Sequence, residues 1–228
     1  MTTPRLPDRI RADVAAAGDP DKAVGQQAYM RSEMPFHGVA APELHAVLRP
    51  HLAAYAPGDR ATWERDVRDL WDGATHREER YAAIALARHR LARPWQDVAA
   101  LDLHRHLVVT GAWWDLVDPV ATHLVGGVLH AHRPEATQVV RAWAGDDDLW
   151  LRRTAVLAQL RHRGATDTGL LADAVEANLD DPSFWLRKAI GWALREHART
   201  DPDWVRDHVS AWGDRISGLS RREALKHL

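Results

Sequence analysis

The 228-residue chain has no cysteine, and only two phenylalanines, three tyrosines and three methionines. Without cysteine there is no disulfide framework, no thiolate metal site and no cysteine nucleophile. No apolar run approaches the length of a membrane span, and the opening "MTTPRLPDRI" lacks the apolar core of a signal peptide, so the expected location is the cytoplasm. Strand-like alternation is missing as well. Excess positive charge is also lacking: the formal net charge is −2, which argues against the uniformly basic surface common among nucleic-acid-binding domains. Arginine is nevertheless clustered.

What is present is apolar and periodic. Hydrophobic residues make up 46% of the chain, enough for a globular core, and eleven tryptophans supply most of the aromatic volume. Apolar positions recur at helical spacing over 7–17, 20–32, 42–54, 60–72, 77–90, 96–107, 113–126, 133–144, 148–163, 168–178, 183–198, 202–211 and 218–226. "GDPD" (18–21), "APGD" (56–59), "GDDD" (145–148), "DDPS" (180–183) and "TDP" (200–202) punctuate them as helix starts and turns. The class is all-α.

"LWLRRTAVLAQLRHR" (149–163) aligns with "FWLRKAIGWALREHA" (184–198) at an offset of 35. "EERYAAIALARHR" (78–90) and "WWDLVDPVATHLV" (113–125) are weaker members of the same series. A helical period of this size predicts a solenoid of HEAT or armadillo type, with one helix of each pair lining a concave face. The expected organisation is a single HEAT-like-repeat domain over 1–228, with 1–19 forming an N-terminal helix whose packing is open. The repeated W-x-R-R/K places Arg152, Arg153, Arg187 and Lys188 at equivalent positions, on that face or on an ordinary solvated one.

On a helical wheel of 113–126, Trp113, Leu116, Val117, Val120 and Leu124 form one apolar stripe, which assigns Trp113 to the core. Trp114 and Asp118, four residues apart, share a flank off that stripe. Pro119 fits if it lies in the helix's first turn. Asp118 is then either a site carboxylate or, like Asp115, a helix cap. Farther on, Lys188, Trp192 and Arg195 share one helix face, a tryptophan beside two cations. Trp63, Trp71, Trp95, Trp143, Trp204 and Trp212 are expected in the core or in packing between repeats, and the repeat register of Trp150 and Trp185 also indicates packing. Fourteen histidines include the i, i+2 pairs His104/His106 and His130/His132, whose members face different sides of a helix, and there is no HExxH. No metal is expected.

The ordered set "YMRSEMPFHGV" (29–39), "WWDLVD" (113–118), "LWLRRTAVLAQL" (149–160), "WLRKAIGWALRE" (185–196) and "LSRREALKHL" (219–228) resembles the AlkD-like DNA alkylation repair proteins, bacterial HEAT-like-repeat DNA glycosylases. The resemblance runs from about residue 20 to the C-terminus. It implies excision of cationic N3- and N7-alkylated purines from duplex DNA without base flipping. It carries the catalytic aspartate onto Asp118, the sugar-contacting tryptophans onto Trp114 and Trp192, and the backbone-binding arginine onto Arg153. The N-terminal tyrosine falls on Tyr29, which could instead pack against the N-terminal helices. Arg152, Arg187, Lys188 and Arg195 are further expected DNA contacts. The expected partner is double-stranded DNA carrying alkylated purines, met by a monomer with no cofactor, metal or membrane, associated with the nucleoid when bound. Two alternatives keep the same fold: a non-catalytic DNA-binding or protein-scaffold relative, and a self-resistance glycosylase for bulky natural-product adducts.

Overall fold

The structure, a computed structural model, describes residues 4–228; the first three residues of the expected N-terminal helix segment lie outside the described residues. All regular structure among the described residues is helical. The contacts divide the chain into two compact units, one ending at Trp95 and one spanning Gln96–Leu228.

The first unit contains α1 (Leu6–Ala16), α2 (Pro20–Met30), α3 (Ala41–Ala54), α4 (Arg60–Asp72), α5 (Arg77–Ala87) and a short 3₁₀ segment, Arg90–Trp95. Helix α1 packs on α3, α4 and α5 through Ile10 and Val14, both fully buried, so its place in this unit is that of a core helix. Trp63 and Trp71 fill the centre, with Trp95 half-buried against Trp63. Helix α2 differs: it buries none of its residues, and Tyr29 is 79% exposed, which excludes the packing alternative for that ring. The loop after α2 is fixed from α5. Buried Glu78 accepts the backbone N–H groups of His37, Gly38 and Val39 at 2.9–3.0 Å, with Gly38 at φ +89°, a conformation that favours glycine.

The second unit contains α6 (Ala100–Gly111), α7 (Trp114–Pro119), α8 (Gly126–Ala131), α9 (Arg133–Ala144), α10 (Leu149–Leu157), α11 (Thr168–Glu176), α12 (Phe184–His197), α13 (Pro202–Ala211) and α14 (Gly218–Ala224). Helix α10 packs on α7, α9, α11 and α12, and α12 packs closely on α14. That last contact depends on Gly191, where a Cβ would lie 2.6 Å from the Cβ of Glu223. Side-chain contacts repeat the sequence period: Asp118 with Arg153, Lys188 with Glu223, and Asp180 with Arg215 are each 35 residues apart. Neighbouring repeats therefore lie in register within this unit.

The punctuation read from sequence consists of caps. Asp19, Asp59, Asp148, Ser183 and Asp201 each accept backbone N–H groups at the start of the helix that follows. Asp148 of "GDDD" accepts from Trp150 and Leu151, both at 2.9 Å, and Asp146 accepts from Asp148. Of the tryptophans expected inside this unit, Trp143, Trp150 and Trp212 are buried, whereas Trp204 is half-buried and stacked on His208.

The stretch expected as one helix over 113–126 is broken. After α7 the chain forms a π-helical turn, Val120–Val125, before α8. Because α7 begins at Trp114, Pro119 falls in its second turn and not its first. There its missing N–H removes an i→i−4 bond, a physical cause for the change of winding. No helix among the described residues is long and apolar enough to cross a membrane.

Candidate active site

Asp118 sits at the end of α7, immediately before the π turn. Its backbone carbonyl accepts the Thr122 hydroxyl at 2.8 Å, which fixes the chain at the break. Its carboxylate caps no helix: α7 has Trp113 at the N-cap position and no side-chain cap bond. Both oxygens turn instead to Arg153 on α10, which donates from Nε to Oδ1 and from Nη2 to Oδ2, each at 2.8 Å. This is the bidentate fork that guanidinium and carboxylate geometry favours. The third arm, Nη1, donates to the carbonyl oxygen of Trp185 on α12. Arg153 thus ties three successive repeats together.

The pair is largely withdrawn from solvent but not sealed. The Arg153 side chain is 5% exposed and that of Asp118 13%. Burial raises the Asp118 carboxyl above its ordinary value, the hydrogen bonds and charge of Arg153 oppose the rise, and nearby Asp115 adds slightly to it. A carboxylate has about four lone-pair sites, and Arg153 uses two. The remainder can accept from water.

Trp114 stands one turn before Asp118, half-buried, on the flank the wheel assigned to it. Trp113 packs, but in an aromatic cluster and only half-buried: its ring centroid lies 5.0 Å from Trp185 and 6.0 Å from Trp150. The register shared by Trp150 and Trp185 is thus used in side-by-side packing of their rings, 5.8 Å apart. Trp192 lies farther along α12, half-buried. Lys188 and Arg195 flank it, and both pair with Glu223 of α14, Lys188 at 3.2 Å. These cations hold the Glu223 carboxyl below its usual range, Lys188 contributing most.

The remaining cations are also engaged. Arg152 donates to the backbone carbonyls of Asp146 and Asp147 and to Asp181, fastening the turn before α10 to the turn before α12. Arg187 donates to the backbone carbonyl of Asp181 at 3.1 Å. The structure therefore unites Asp118 with Arg153 directly, places Trp114 on the same helix, and ties Arg152, Arg187, Lys188 and Arg195 to protein acceptors. Tyr29 belongs to the other unit. The relation that sequence reading missed is the Asp118–Arg153 pair itself, although its separation of 35 equals the repeat offset.

A cavity in the second unit lies elsewhere, lined among others by Val156, Arg163, Glu196 and His197, and none of Trp114, Asp118 or Trp192 lines it.

Comparison with known proteins gives one consistent result. The family profile described as DNA alkylation repair enzyme matches residues 10–228. Among solved structures, one described as a predicted DNA alkylation repair enzyme from Enterococcus faecalis is similar, with a TM-score of 0.84 and 28% identity, covering 92% of this chain and 96% of that one. None of the curated proteins matches.

Proposed function

Since the chain belongs to the DNA alkylation repair enzyme family, we propose that it is a DNA glycosylase hydrolysing the N-glycosidic bond of cationic N3- and N7-alkylated purines in duplex DNA. The observation that supports this most is the buried, bidentate Asp118–Arg153 pair one helical turn from Trp114.

An alkylated N3 or N7 makes the purine a cation, so the base departs without protonation. Two needs remain: stabilising oxocarbenium-like charge on the deoxyribose, and directing a water to it. One carboxylate meets both. Paired carboxylates belong to glycosidases whose leaving groups need an acid. Raised basicity improves Asp118 as acceptor of the water's proton, while Arg153 fixes its oxygens and restrains that rise. In this role Arg153 is a positioning residue, in place of the phosphate contact expected from sequence. Trp114 and Trp192 would offer ring faces to the sugar cation. The duplex stays stacked in this reading, because the groups that act address the sugar and not the base. The whole chain is taken as one functional HEAT-like-repeat unit, acting as a monomer in the cytoplasm.

A non-catalytic reading, as a DNA-binding or scaffold protein, draws on the pairing of Arg152, Lys188 and Arg195 with acidic partners. Duplexes carrying 7-methylguanine or neutral hypoxanthine separate the two, abasic sites being revealed by alkali. Glycosylase action predicts release of 7-methylguanine and no release of hypoxanthine. Release of neither supports the binder. Efficient release of hypoxanthine would demonstrate a general acid or a base pocket and overturn the mechanism.

A further inference from the structure

In the first unit, two imidazoles and a carboxylate converge where the loop after α2 meets the start of α5. His37 Nε2 lies 2.8 Å from Glu79 Oε1, and His76 Nδ1 lies 3.8 Å from the same oxygen. All three ligand atoms fall within 4.8 Å of one another. Zinc bonds to nitrogen and carboxylate oxygen are near 2.1 Å, so neighbouring donors in a tetrahedral site stand about 3.4 Å apart. The two recorded separations bracket that value.

The surroundings hold these donors in place. The second oxygen, Glu79 Oε2, accepts the backbone N–H of Thr75 at 2.9 Å and lies 3.7 Å from Arg11 Nε, so the carboxylate is oriented from behind, with Oε1 turned to the imidazoles. The Thr75 hydroxyl, 2.9 Å from His76 Nδ1 and 3.3 Å from Glu79 Oε1, contacts the ligand atoms themselves and has to turn away when the ion enters. The His37 backbone is fixed by Glu78. The Glu79 side chain is 3% exposed, that of His37 11% and that of His76 31%, which leaves one open side for an ion and its water.

We infer that His37, His76 and Glu79 form a binding site for one divalent ion of the zinc class, which fastens the 31–40 loop to α5. Two imidazoles with one carboxylate select a borderline ion of this kind over magnesium or calcium, which prefer all-oxygen sites. The expectation of no metal rests on the i, i+2 histidine pairs, the missing HExxH and the missing cysteine, none of which bears on this site, where His37 lies 39 and 42 residues from its partners.

One feature constrains how the site loads. The His37 and His76 rings are stacked, with centroids 3.7 Å apart and 14° between planes. Ring lone pairs lie in plane, so parallel rings aim them side by side. Loading must splay the rings until both point at one ion, and imidazole NMR resonances of both residues should shift together on titration.

The test is titration of the full chain with Zn²⁺ in competition with a chromophoric chelator, with Co²⁺ as a spectroscopic substitute and Mg²⁺ as the hard-ion control. His37→Phe and His76→Phe each keep a ring for the stack and remove the donor. The expected result is one equivalent of zinc in the wild-type chain, a tetrahedral Co²⁺ spectrum and no Mg²⁺ binding. Each variant should bind zinc about 100-fold more weakly or worse; without metal, His76→Phe should melt near the wild type, while His37→Phe melts lower because it also removes the 2.8 Å contact with buried Glu79. If the double variant binds zinc as the wild type does, the ion sits on other histidines and the assignment fails. It also fails if the wild-type chain binds no more zinc than the double variant.

Discussion

Glu78 in the first unit and Asp118 in the second are both withdrawn from solvent, yet the chain treats them differently. Glu78 is fully buried at the start of α5 and receives three backbone N–H groups from one loop. Asp118 lies at a helix break, keeps slight exposure, and receives both its hydrogen bonds from a single arginine. A carboxylate surrounded by main-chain donors can only hold the fold. One held by a single side chain from one side retains acceptor capacity and a path to solvent, which catalysis requires.

The contrast breaks first, and most severely, at Arg153. Arg153→Ala leaves Asp118 buried without its cation and should cost about 3–5 kcal/mol in urea unfolding, the scale for stranding one partner of a buried pair. In an Asp118→Asn background the same change should cost much less. Equal costs in both backgrounds would show that Arg153 acts through its packing and its Trp185 contact alone.

Glu78→Gln is the matched experiment in the other unit. It replaces one acceptor oxygen with an NH₂ facing main-chain donors, and should cost about 3 kcal/mol while leaving the excision rate per folded molecule unchanged. An excision defect without loss of stability would erase the distinction between the two carboxylates.

The smallest effect is a pH dependence. Burial holds His76, His162 and His197 below their ordinary values. In the unfolded chain these imidazoles protonate near pH 6.5, and in the folded chain they resist. Their neutral burial therefore costs nothing above that pH and destabilises progressively as pH falls below it. Asp118 works in the opposite direction, since its raised folded value lets the native state take up a proton before the unfolded one. The unfolding free energy from urea titration should be flat from pH 8 to 7 and decline toward pH 5 by up to about 1.4 kcal/mol per group and pH unit. A rise on acidification that persists in Asp118→Asn would mean that these histidines are not held neutral.

Local signals in the sequence carry most of the fold. Apolar spacing locates the helices, and Asp19, Asp59, Asp148, Ser183 and Asp201 in the turns read from sequence are caps, because capping acts within three residues. The break after Asp118 was visible as Pro119, but its position in the second turn depends on α7 starting at Trp114, a boundary that periodicity leaves loose. For the site, the common flank of Trp114 and Asp118 is a property of one helix and could be read directly. The carboxylate partners of Arg152, Arg153, Lys188 and Arg195 lie 28–35 residues away, and local pattern contains no record of them. Only the repeat offset linked Asp118 to Arg153. The His37, His76 and Glu79 cluster had no such period and depends on a loop folding back onto α5.

Whether Asp118 is the group acting on the sugar is decided by single-turnover release of 7-methylguanine from duplex DNA. Wild type, Asp118→Asn and the control Asp115→Asn are compared with the DNA saturated by protein. Asp118→Asn should release the base roughly 10²-fold more slowly or worse, with undamaged duplex bound at least as tightly and with Asp115→Asn close to wild type. Release by a folded Asp118→Asn protein at the wild-type rate would contradict that role.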